Sequence, residues 1–210
     1  MKPIHEVDAL KDFNELTKPD PRNLAFLRTI EERHAYLSSI TLKETVPIEV
    51  IQLFETAKNL SLYSWFVYRF HQTSEMVAFS STELALKIRF KLENPNSKNR
   101  ITFNELIIHA IDNHWITKDN FSRLYQRAIN IAEQTKAIEA AVFLDKTNRN
   151  ECVLEDPTKE EIYNALEGLD LNFLLSIPKM RNDLAHGSKT LSPSSASTLK
   201  LLSEIINQIY

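Results

Sequence analysis

This sequence predicts an all-α fold, a helical bundle of about seven or eight helices, and three observations lead there. Only two of its 210 residues are glycine, Gly168 and Gly187, too few for the turns that a β-rich fold consumes. Hydrophobic residues make up 43% of the chain and return at helical spacing over long stretches. Helix-start signals such as Asp20-Pro21, Thr102-x-x-Glu105, Asp156-Pro157 and Ser192-Pro193 punctuate those stretches at frequent intervals.

Taken in order, a weak amphipathic segment covers Val7 to Leu16. Asp20 as a cap and Pro21 at the first helical position then open a helix through about Ser39. Pro47 opens the longest pattern, which runs to Leu92 and stops before Asn94-Pro95. Its apolar run from Leu60 to Tyr68 is wide enough to be buried on several sides, and a break is expected around Gln72 to Ser74. Thr102 and Glu105 form a capping box for a short helix to about His114. Thr117 or Asp119 begins another through Ala141. Val142-Phe143-Leu144 and Cys152-Val153-Leu154 flank a polar turn, so a small hairpin or an irregular excursion is expected near 142–154. Asp156-Pro157 caps a helix through Leu166, whose acidic run from Glu155 to Glu167 reads as an exposed face. Asp170 begins the next helix, which Pro178 must start afresh or kink because proline lacks the amide donor. The last helix, from Ser192-Pro193 to Tyr210, buries Leu199, Leu202, Ile206 and Ile209 at helical spacing.

Composition excludes several function classes. Two glycines cannot write a dinucleotide fingerprint or a Walker loop, so any phosphate must be held by side chains. Cys152 is the single cysteine, which leaves no intramolecular disulfide and no thiolate metal site, and neither metal nor cofactor is expected. No run approaches the eighteen or so apolar residues of a membrane span. Met1 to Glu6 lacks an apolar signal core, so a cytoplasmic chain without a membrane partner is expected. The net charge of -3 gives no global push toward nucleic acid. The best local patch, Lys87, Arg89, Lys91, Lys98 and Arg100, is a weak RNA-binding candidate, with a solvated helix end as the competing reading.

The chemistry concentrates in Arg181-Asn182-Asp183-Leu184-Ala185-His186-Gly187. Arginine grips phosphate through two hydrogen bonds, and histidine exchanges protons near neutral pH. Together they are the minimum equipment for cleaving a phosphodiester without a metal. On a helix Asn182 and His186 share a face, whereas Arg181 and His186 stand about 140° apart. A long arginine side chain, or unwinding at Gly187, brings them together. Arg28 and His34 form a similar pair, but Thr29 follows that arginine and the helical pattern there is unbroken. The remaining histidines, His5, His71, His109 and His114, read as surface or packing residues.

The string Met180 to Gly187 resembles the Arg-polar-x-x-x-His signature of the HEPN superfamily. Ser80 to Lys87 is similar to that family's acidic and apolar helix, and Thr102 to Ile107 to the helix start that follows it. The resemblance covers residues 45–210 as a HEPN-like helical domain and leaves 1–44 as an N-terminal helical extension. It implies a metal-independent endoribonuclease that cleaves RNA through 2′-hydroxyl attack, in a two-fold homodimer with facing motif helices. His186 would serve proton transfer, Arg181 would neutralise phosphorane charge, and Asn182 would orient phosphate or imidazole, with Asp183 and Glu83 as supporting contacts. A toxin paired with an antitoxin or other regulatory protein, or an effector of anti-phage defence, is the setting implied. Some family toxins carry a modifiable tyrosine two positions after the histidine; here Ser188 stands there, which argues against regulation by that route. The alternative is a non-catalytic helical module that binds RNA, a nucleotide or a protein.

Overall fold

A computed structural model describes residues 7–23, 29–97, 100–187 and 191–210. Eight α-helices occur among them: α1 (Ile30–Ser38), α2 (Ile48–Tyr63), α3 (Phe70–Glu93), α4 (Phe103–Asp112), α5 (Ser122–Thr147), α6 (Lys159–Glu167), α7 (Ile177–Ala185) and α8 (Ser195–Ile209). No strand is present among the described residues, so the fold is an all-α bundle.

The central element is α3, which packs against α2, α4, α7 and α8. Its buried face alternates small and large side chains, with Ala78, Ser81, Thr82 and Ala85 beside Phe79 and Leu86. The small residues let neighbouring backbones approach, and their hydroxyls find acceptors. Ser74 Oγ donates to the Ala57 carbonyl at 2.8 Å and Ser81 Oγ to that of Val50 at 3.0 Å, both on α2. Helix α8 packs against both α3 and α2, burying Leu199, Leu202, Ile205, Ile206 and Ile209. Each such aliphatic side chain contributes about 1.5–3 kcal/mol relative to remaining exposed. Leu37, Ile40 and Val46 join the same core, which therefore begins upstream of α2.

Several boundaries differ from the sequence expectation, each for a physical reason. The break in the long pattern falls at 64–69 rather than at Gln72 to Ser74. There the carbonyls of Ser64 and Trp65 accept hydrogen bonds from the Asn23 carboxamide at 2.8 and 3.1 Å, and the Asp20 amide donates to Trp65 at 2.8 Å. Partners more than 40 residues away thus satisfy the end of α2.

Asp20 caps no helix at Pro21. Its carboxylate is buried against the Arg22 guanidinium at 2.8 and 2.9 Å, and Arg22 also binds Asp8, which in turn accepts from Arg69. Helix α1 begins at Ile30, capped reciprocally by Thr29 and Glu32, and residues 24–28 of the expected helix lie outside the described residues. The Val7 to Leu16 segment forms only a short 3-10 turn at Phe13–Glu15 and leaves Val7, Leu10 and Phe13 exposed.

No hairpin forms near 142–154. Helix α5 continues through Val142, Phe143 and Leu144 to Thr147 and ends at Asn148 with φ 52°; residues 149–158 follow as an irregular excursion. The alanines at 137, 140 and 141 extend α5 by propensity, without packing on the core. Thr158 and Glu161, rather than Asp156, cap α6. Thr102 and Glu105 cap α4 as expected.

Candidate functional site

Helix α7 carries the motif, and its start explains its placement. A 3-10 turn, Asn172–Ser176, precedes it, and Pro178 lies in the first turn of α7, where its missing donor costs nothing. Leu174, Ile177 and Pro178 are buried and seat the N-terminal end of α7 on the body of the bundle, where it packs against α3. The other end stops as the sequence predicts. His186 is the C-cap at φ −91° and ψ 7°, and its amide donates to the Asn182 carbonyl at 2.9 Å. Gly187 follows in the left-handed region at φ 87°, and its amide donates to the Leu184 carbonyl at 3.2 Å.

Arg181 reaches across to α3. Its Nη2 donates to Oε2 of Glu83 at 3.0 Å, and its Nη1 donates to Oδ1 of Asn182 at 3.2 Å. The other Glu83 oxygen accepts from Lys87 Nζ at 2.5 Å. Glu83 is held closely, with 13% of its side chain exposed, whereas 35% of Arg181 remains open to an incoming ligand. The carboxylate thus fixes one edge of the guanidinium and leaves it accessible.

This assembly lines a cleft of about 540 Å³ between α3, α7 and the start of α4, within the size range of ligand sites. The charged groups on its lining are four cations, Lys87, Lys91, Arg100 and Arg181, and one carboxylate, Glu83. Phe90, Ile101 and Phe103 add apolar surface, and Asn94, Asn104 and Asn182 add carboxamides. The chain is acidic overall, but this cleft is locally cationic.

Not every sequence candidate gathers there. The His186 imidazole is exposed, lies outside the lining of the cleft, and makes no side-chain hydrogen bond among the described residues. Asp183 is also exposed and outside it. Arg89 turns away from the basic patch, bridging Glu93 at 2.8 Å and stacking over the Trp115 ring at 5.6 Å. Lys98 and Ser188, like His5 and Arg28, lie outside the described residues. Among those described, no three His, Cys, Asp or Glu side chains gather as metal ligands, and no helix is long and apolar enough to cross a membrane.

A second polar cluster has no counterpart in the sequence reading. His71 on α3 is fully buried. Its Nε2 faces Arg33 Nη2 at 3.0 Å, and its Nδ1 faces Ser195 Oγ at 2.6 Å. A guanidinium only donates, so Nε2 accepts and the proton sits on Nδ1, donated to Ser195. Burial, reinforced by the Arg33 charge, pushes the imidazole pKa down to about 3, so the ring is neutral. One turn on, Glu75 accepts from Ser194 and Thr198 at the start of α8, and burial pushes its carboxyl up despite those bonds. The signal for the cluster is a histidine and a glutamate four apart on an otherwise buried helix face. Both groups are sealed from solvent and knit α8 to α3.

Comparison with protein-family models, curated proteins and solved structures finds no match. The candidate site stands on its geometry and its motif.

Proposed function

We propose that this chain is a metal-independent endoribonuclease of the HEPN type. The observation that carries the reading is the Glu83–Arg181–Asn182 assembly at the edge of a cationic cleft. It joins the string that resembles the HEPN signature to the Ser80–Lys87 stretch that is similar to the family's acidic and apolar helix, and it presents a half-open guanidinium beside three further cations. Strand scission by this route deprotonates a ribose 2′-hydroxyl and forms a bond from 2′-oxygen to phosphorus. The bond from phosphorus to the 5′-oxygen breaks, leaving a 2′,3′-cyclic phosphate and a 5′-hydroxyl once that oxygen is protonated. Arg181 balances the added charge on the phosphorane, Asn182 orients the phosphate, and His186 moves the proton.

One imidazole at the open end of α7 supplies one proton-transfer group, whereas the reaction needs a base and an acid. A two-fold homodimer with facing α7 helices provides the pair. The exposure of His186 is compatible with that arrangement. The resemblance further suggests a toxin held by an antitoxin, or an effector of anti-phage defence, acting on RNA in the cytoplasm.

The position of His186 outside the cleft of a single chain also favours a second reading, a module that binds RNA, a nucleotide or a protein and catalyses nothing. Induced expression separates the two. Growth arrest that disappears in both Arg181→Ala and His186→Ala supports the nuclease; arrest that survives either substitution, or never occurs, supports the module.

A further inference from the structure

The cationic cleft has a direction. Glu83, Lys87 and Lys91 follow one another at four-residue intervals along α3, a rise of about 6 Å per step. All three line the cleft. Glu83 holds Arg181, so the row leads away from the motif arginine toward the C-terminal end of α3. Arg100, just before α4, lines the cleft as well. Neither Lys91 nor Arg100 has a carboxylate partner among the described residues, whereas Lys87 is partly neutralised by Glu83. Glu105, the acidic residue in the first turn of α4, is occupied by the Thr102 amide and hydroxyl at 2.7 and 2.8 Å and lies off the lining. His186 and Asp183 lie off it too.

We propose that this cleft is a subsite for the backbone of single-stranded RNA on one side only of the phosphate held by Arg181. Lys87 and Lys91 take the next two phosphates, and Arg100 adds a charge from the segment before α4. The inference rests on the reading of Arg181 as the phosphate holder and adds a footprint and a strandedness to it. Steps of one helical turn suit consecutive phosphates of an extended strand. A charged groove with apolar and aromatic lining suits single strands, whereas an RNA duplex is gripped across its wide minor groove. The chain's net acidity is no obstacle, because binding follows the local cations.

The test uses the full chain and fluorescein-labelled 2′-O-methyl oligouridylates of one to eight nucleotides, which lack the attacking hydroxyl and bind without being cut. Fluorescence anisotropy should show affinity rising with each phosphate to three and then levelling off. The logarithmic salt slope should approach about −2 at three phosphates. Lys91→Ala, at an exposed position, should weaken binding roughly fivefold and flatten that slope by about 0.7, and Arg100→Ala, also exposed, should weaken binding and flatten the slope by less. Lys146→Ala on α5 should change neither. Unchanged slopes in both variants, tighter binding of a duplex, or no binding would overturn the subsite. Binding as described with unmodified RNA left intact would remove the nuclease reading and keep the subsite. Cleavage with unchanged slopes would do the reverse.

Discussion

Arg181 on α7 and Glu83 on α3 lie 98 residues apart in the chain and meet at 3.0 Å. The pair ties the motif helix to the central helix of the bundle and leaves part of the guanidinium facing the cleft. In the proposed function this pair would preorganise Arg181, setting its fork before a phosphate arrives.

That relationship predicts how Glu83→Gln behaves. The pair is only part-buried, so its loss should cost no more than about 1 kcal/mol of stability. RNA cleavage should fall by about 10- to 100-fold, because a loosened guanidinium no longer meets the phosphate in register. Thermal melts beside cleavage rates check this; equal activity would show that Glu83 only braces the fold.

Acid should unfold the protein through His71. Its folded pKa of about 3 lies below the ordinary histidine value of 6.5. Being held neutral therefore costs nothing above pH 6.5, and the stability it carries is lost as the pH falls from 6.5 toward 3. At pH 5 the loss is about 2 kcal/mol. Glu75, raised by burial, contributes with the opposite sign, its stabilisation fading as pH rises through its folded pKa. Denaturation midpoints between pH 7 and 4.5 should fall steeply in the native chain and less so in His71→Gln. Parallel slopes would refute the assignment.

Gly187→Ala isolates the backbone at the end of α7. At φ 87° a Cβ meets nothing within 4 Å, so the cost is conformational alone, about 1 kcal/mol. A melting temperature equal to that of the native chain would mean that α7 ends equally well without the left-handed residue.

How far the sequence speaks depends on where each partner sits. Helix starts with reciprocal local caps, such as Thr102 with Glu105, and the restart at Pro178 are written within a few residues and so are readable. The end of α7 at His186-Gly187 is equally local. The break at 64–69 is not, because Asn23 and Asp20 fix it from more than 40 residues away in the chain. Arg89 belongs to the basic run in sequence, yet Glu93 and Trp115 take it out of the cleft. Of the site, the Arg181–Asn182 contact is local to the motif, the pairing of Arg181 with Glu83 joins residues 98 apart and is not written in either stretch, and His186, at the C-cap of α7, does not line the cleft.

The central claim is that Arg181 and His186 cleave RNA without a metal. The most direct measurement incubates purified protein with structured and single-stranded RNA in EDTA, beside an Arg181→Ala/His186→Ala double variant, and identifies the product ends. The account predicts cyclic phosphate and 5′-hydroxyl ends from the native chain and intact RNA from the variant. Intact RNA in both, or the same cleavage in both, would contradict it.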